Sequence, residues 1–205
     1  MFSILRTTLF VLFVFACTYL NGQNSEKIEF FIEAGSAKGI NDVFSYNFQF
    51  SPGYKLTENF TLGVGIGFVN YNNRTDLKNK LIDNHYFQTG WHNAWKPYIH
   101  GKYSISSNHR VNPFIKVDIG YAFFSHKKRL SYVDENENDY VTIPFDIKGG
   151  ANSTVSLGIL KHSNHFGKAL TVSVFYLFQP VTYKYMSNSE RKNISSIGFN
   201  VGVIF

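Results

Sequence analysis

Residues 60–68 read Phe60-Thr61-Leu62-Gly63-Val64-Gly65-Ile66-Gly67-Phe68. In an extended chain Phe60, Leu62, Val64, Ile66 and Phe68 share one side, and Thr61, Gly63, Gly65 and Gly67 share the other. A helix would scatter the apolar residues around its axis and place glycines in its interior, each costing about 1 kcal/mol relative to alanine. The segment reads as a strand with one greasy face and one small, polar face.

The same alternation recurs on both sides of it. Upstream, Ile28, Phe30, Ile32 and Ala34 oppose Glu29, Phe31, Glu33 and Gly35, and Phe44, Tyr46, Phe48 and Phe50 oppose Ser45, Asn47, Gln49 and Ser51. Downstream, Trp91, Trp95, Ile99 and Tyr103 oppose Tyr98, His100 and Lys102, with Pro97 removing a ladder donor and suggesting a bulge. Ile115, Val117, Ile119, Tyr121 and Phe123 then oppose Lys116, Asp118, Gly120 and Ala122. Val155, Leu157 and Ile159 oppose Ser156 and Gly158, and Leu170, Val172, Val174, Tyr176 and Phe178 oppose Thr171, Ser173 and Gln179. The chain closes with Ile197, Phe199, Val201, Val203 and Phe205 against Gly198, Asn200 and Gly202. That makes eight segments, each near the roughly 9 to 11 residues that a tilted strand needs to cross hydrocarbon. The even number suits closure.

The 205 residues suffice for one domain or one closed barrel. Aromatic residues (18%) outnumber charged ones (17%), so the chain is not disordered, yet its apolar residues are dispersed. A single cysteine excludes a disulfide scaffold and a cysteine-ligated zinc site within one copy. At the N-terminus, Arg6, the apolar run Leu9 to Phe15 and the polar exit Asn21-Gly22-Gln23 read as a secretory signal over residues 1–22, its core too short to span a bilayer. Val14-Phe15-Ala16-Cys17 loosely resembles a lipobox, with the bulky Phe15 against it. Cleavage after Gly22 removes Arg6, so the net charge of +6 becomes +5. The basic residues Lys127, Lys128, Arg129, Arg191 and Lys192 fall in polar, turn-rich segments and not on one face, which argues against nucleic acid and for loops facing anionic glycolipid.

Alternation alone leaves the sign of the faces open, because a soluble barrel turns its greasy face inward and a lipid-embedded barrel turns it outward. Small glycines and serines on the polar side, aromatics near strand ends and scarce lysine along the strands favour lipid. The fold expected is all-β: an eight-stranded antiparallel up-and-down transmembrane β-barrel over residues 23–205. Short turns at Thr57–Asn59, Ser106–Arg110 and Ser163–Lys168 alternate with longer connections at Asn72–Asn84, Ser125–Gly149 and Met186–Asn193, while Lys38–Asp42 is short and breaks the trend. Ser125–Gly149 is long enough for its own hairpin, Leu130–Val133 with Tyr140–Ile143.

This pattern resembles the small eight-stranded outer-membrane barrel proteins of Gram-negative bacteria, the OmpA and OmpX type, over residues 26–205. The terminal strand Gly198-Phe199-Asn200-Val201-Gly202-Val203-Ile204-Phe205 is similar to that family's C-terminal insertion signal. The resemblance implies that Phe199, Val201, Val203 and Phe205 engage the barrel-assembly machinery, that outer-membrane lipids surround the barrel, and that the location is the outer membrane.

Glu29, Glu33, Lys116 and Asp118 fall on the expected lumen side as a structural polar plug, since eight strands leave an interior that side chains nearly fill. No general-diffusion channel is expected. His162-Ser163-Asn164 invites comparison with outer-membrane lipid A deacylases, but the two residues adjoin in a short turn at the wrong end. His85, His92, His100, His109, His126, His162 and His165 lack metal-ligand spacing, and Gly63, Gly65, Gly67, Gly149 and Gly150 lack a phosphate-loop context, so neither metal nor cofactor is expected; the glycines read as lumen packing and a bend. The first functional expectation is a non-enzymatic barrel displaying external loops to a partner. The rivals are a soluble lipocalin-like calyx holding an apolar ligand and a lipid-modifying barrel enzyme.

Overall fold

The structure, a computed structural model, describes residues 27–39, 44–73, 77–78, 86–87, 90–105, 110–124, 127–134, 139–162, 169–185 and 188–205. The expected signal peptide over residues 1–22, with Cys17, lies outside them. The described residues form strands β1 (Ile28–Gly39), β2 (Phe44–Lys55), β3 (Phe60–Asn73), β4 (Leu77–Lys78), β5 (Tyr86–Phe87), β6 (Gly90–Ser104), β7 (Val111–Tyr121), β8 (Phe123–Phe124), β9 (Lys127–Asp134), β10 (Asp139–Lys148), β11 (Ala151–His162), β12 (Ala169–Tyr185) and β13 (Asn188–Ile204). Eight of them, β1, β2, β3, β6, β7, β11, β12 and β13, pair antiparallel in sequence order, and β13 returns to β1. Closure leaves the wall without an edge, as hydrocarbon demands of every backbone amide.

The stagger of this closure sets the width of the barrel. Crossing from partner to partner, Ile28 leads through Tyr54, Leu62, Gly101, Val117, Val155, Tyr176 and Ile197 back to Lys38, ten residues further along the first strand. Eight strands with that stagger tilt by about 40° and leave a backbone radius of about 8 Å. Such a cylinder is filled by side chains.

The greasy stripes point outward. Val64 is 54% exposed, Leu157 60% and Phe199 56%, whereas Lys116 on the opposite face is 1% exposed. Aromatic side chains bound this apolar belt: Tyr46, Trp95, Tyr121, Phe123 and Phe178 ring the end with the longer connections, and Tyr54, Tyr103 and Phe205 ring the end with the termini. From Tyr54 to Tyr46 the strand rises about 20 Å along the axis, close to the apolar band of outer-membrane barrels. The Phe60 ring lies over Gly101 on the outer surface, 3.5 Å from where a Cβ would stand, covering the gap in the belt.

Three connections depart from or refine the sequence expectations. The register of β6 with β3 runs unshifted through Pro97, and on the other side Tyr98 with Gly120 of β7 and Trp95 with Phe123 of β8 keep one register across it, so the bulge expected there is absent. Pro97 faces Tyr121 in that register and its missing N–H falls where β7 ends. A one-residue shift occurs instead at Gly149–Gly150: Lys148 pairs with Thr182 but Ser153 pairs with Phe178, so four residues oppose three. A Cβ on Gly149 would meet the carbonyl of Ala122, which explains the glycine at this bend. Within Ser125–Gly149, β9 and β10 form the expected internal hairpin, longer at both ends than foreseen.

The expectation of a long loop at Met186–Asn193 is wrong. β12 reaches Tyr185 and β13 starts at Asn188, with Thr182 to Tyr185 paired to Arg191 to Asn188. Both faces of that segment are polar because it stands above the belt, so alternation is lost although the strand continues. The β9–β10 hairpin joins it through the pairing of Phe145–Lys148 with Thr182–Tyr185, making a four-stranded sheet that projects beyond the wall.

Candidate functional site

The lumen gathers the charges that the belt excludes. Glu33 on β1 pairs with Lys116 on β7, and the same ammonium lies 3.7 Å from Asp118 Oδ2. Alternation sends all three side chains inward, and the closed wall brings β1 opposite β7. Glu29 joins a different group: Lys102 Nζ donates to its Oε2 at 2.9 Å, Lys55 Nζ lies 3.0 Å from Oε1, and Thr61 Oγ1 donates to Oε2 at 3.1 Å. The four residues singled out in the sequence therefore divide, three in one network and Glu29 in another. The sequence places Lys102 on the lumen side without joining it to them, and it does not single out Lys55 or the buried Lys96. Their alternation in β6 and β2 was the available signal.

Around these pairs the packing is tight. Gly63 and Gly65 on β3 have no side chains where the His100 and Tyr98 rings of β6 cross the interior. His100 meets the Phe31 ring edge to face at 5.3 Å, and Lys102 Nζ sits 4.6 Å from the centre of that same ring. Both His100 ring nitrogens, Ser156 Oγ and Ser173 Oγ have no hydrogen-bond partner among the described residues. Buried polar atoms of this kind are where internal water binds.

Apolar layers close the polar middle above and below. Phe31, Phe114, Leu160, Ala169 and Ile204 fill the interior towards the termini. Towards the other end Val69, Tyr71, Phe175, Leu177, Val181 and Tyr183 pack together, with Tyr71 Oη donating to Gln179 Oε1 at 2.6 Å. Phe31 stands on the lumen side in the sequence as well, whereas Phe175 and Leu177 went unread, because they make β12 greasy on both faces. The arrangement is suited to sealing and to rigidity.

The remaining candidates are separate. His162 contacts Asn112 across 3.2 Å at the end with the termini, while Ser163 and Asn164 lie outside the described residues. His85, His109, His126 and His165 also lie outside them. Among the described residues no three His, Cys, Asp or Glu side chains are grouped to hold a metal. Phe199, Val201, Val203 and Phe205 share the outward face of β13, and the Phe205 backbone is bonded both ways to Phe30, at 3.0 and 3.1 Å.

This is the fold of the small eight-stranded outer-membrane barrels of the OmpA and OmpX type. Among solved structures, the outer membrane protein OprG from Pseudomonas aeruginosa superimposes with a TM-score of 0.54 at 10% identity, covering 86% of this chain and 96% of that one. A major outer membrane protein from Thermus thermophilus gives 0.49 at 13% identity over 87% and 99% of the two chains. The outer membrane enzyme PagL gives 0.47 at 12% identity over 84% and 98%. No known protein-family model matches the chain, and no curated protein matches it.

Proposed function

We propose that this chain is an integral outer-membrane barrel of a Gram-negative envelope, exported by its N-terminal signal and without enzymatic activity. Its projecting hairpins offer a surface to an external partner, and its C-terminal strand, through Phe199, Val201, Val203 and Phe205, is the element recognised by the barrel-assembly machinery. The observation that carries the reading is the outward apolar belt between two aromatic girdles, wrapped around a lumen filled by ion pairs. A soluble calyx would have to expose that belt to water and would hold charges where its apolar ligand should sit. The ring of His162 meets the Asn112 amide, and among the described residues no carboxylate pairs with it, which favours the reading without lipid-modifying activity.

The test is gel mobility with and without heating. The mature chain fractionates with outer membranes and migrates faster before boiling than after, because a closed barrel resists unfolding by cold SDS. A mature form that stays monomeric in buffer without detergent and shows no heat-dependent band would overturn the reading. Mass analysis of lipid A from expressing cells shows no change in acylation if the barrel is not an enzyme.

A further inference from the structure

One sector of the outward surface gathers three exposed cations above the girdle. Lys148 on β10, Thr182 on β12 and Arg191 on β13 lie side by side in register, and Lys184 stands two positions beyond Thr182, flanked by Asp146 and Ser189. Lys148, Lys184 and Arg191 are exposed, and Thr182 between them is half-buried and short. None of the three cations has an ion-pair partner among the described residues. Strand spacing and rise put their Cα atoms about 8 to 10 Å apart, so these long side chains can meet above Thr182.

Their height is specific as well. Thr182 lies four residues past Phe178 of the aromatic girdle, about 10 Å above it along the axis. That is the headgroup layer just outside the hydrocarbon. Above the girdle on β3 and β6, Asn70 and Asn93 face outward side by side, and Asn70 Nδ2 donates to Asn93 Oδ1 at 2.5 Å. Lys148, Lys184 and Arg191 share one face of the projecting sheet.

We propose that Lys148, Lys184 and Arg191 form a seat for the phosphate of a phosphorylated outer-leaflet glycolipid, whose acyl chains run down over Phe178 and Tyr176. This rests on the outer-membrane reading above. Asp146 stands in register between Lys184 on β12 and Lys127 on β9, so the sector keeps at least two net positive charges, which match a phosphomonoester carrying about −1.5 to −2 better than a phosphodiester lipid carrying one charge. Arg191 supplies the planar fork suited to phosphate oxygens, and the two lysines act as point charges on either side.

The experiment uses the full mature chain in detergent micelles doped with bis-phosphorylated lipid A, its dephosphorylated form or phosphatidylglycerol, with bound lipid read by native mass spectrometry. Wild type retains lipid A in preference to the other two. The variant Lys148→Gln/Lys184→Gln/Arg191→Gln loses retention by roughly 100-fold, at about one factor of five per surface cation, and Arg191→Gln alone loses about fivefold. Lys38→Gln/Lys161→Gln, which removes outward charges elsewhere, leaves retention unchanged. Equal retention by the triple variant, equal capture of phosphatidylglycerol or the dephosphorylated form, or displacement of lipid A by inorganic phosphate at equal concentration would each overturn the seat. Heat-dependent mobility is recorded on every sample: a wild type without it overturns the barrel reading itself, whereas a folded wild type that ignores lipid A overturns only the seat.

Discussion

Lys116 holds two carboxylates at once, Glu33 and Asp118, and is itself 1% exposed. Replacing it with methionine strands both acids in the interior, whereas Glu33→Gln leaves the ammonium its Asp118 partner. Lys116→Met is therefore expected to cost about 3 to 5 kcal/mol in urea unfolding of the refolded barrel, and Glu33→Gln distinctly less. Equal losses would mean that the two acids do not share the lysine. Gly149 is a steric matter: alanine there presses on the Ala122 carbonyl, and a loss of about 1 to 3 kcal/mol is expected, read as a smaller fraction of the heat-modifiable band. At this scale the sequence disclosed which residues face inward but not who pairs with whom. Glu29 and Glu33 sit on one face of the same strand, yet the stagger of the wall sends one to Lys102 and the other to Lys116. Pairing is a property of register, which no single strand carries.

β13 shows how far alternation reaches along an element. Below Ser195 its outward residues are apolar and its inward ones small, and that half is plain in the sequence. Above it, Asn188 to Asn193 is polar throughout, so the same strand looked like a loop. The girdled half is also where the carboxy-terminal Phe205 latches to Phe30 through the backbone while its ring faces outward, 48% exposed. A ring so far outside the packed interior is of little use to the folded wall, and Phe205→Ser is expected to refold in detergent as wild type does. In cells the same variant is expected to reach the outer membrane at a several-fold lower level, measured by fractionation. Impaired refolding in detergent would assign the ring to stability and not to assembly. β12 was half legible for the opposite reason: Phe175 and Leu177 face inward beside outward Val174 and Tyr176, and a strand greasy on both sides hides its own orientation.

The whole molecule is a cylinder about 8 Å in backbone radius with ion pairs at its waist and apolar layers at both ends. In planar bilayers it is expected to give no conductance on the scale of a large porin, and steps of that size would show that the lumen opens. Strand count followed from period-two patterning, and the direction of the greasy faces from the glycines and serines opposite them and the scarcity of lysine, because lipid outside and a narrow core inside impose opposite demands on alternate residues. The stagger did not follow, since it belongs to no segment taken alone. β12 continues seven residues past Phe178 to Tyr185, so its upper end clears the hydrocarbon boundary by about 15 to 20 Å. An antibody against a peptide spliced in after Tyr185 should stain living cells whose surface sugars are short and miss those cloaked in long polysaccharide.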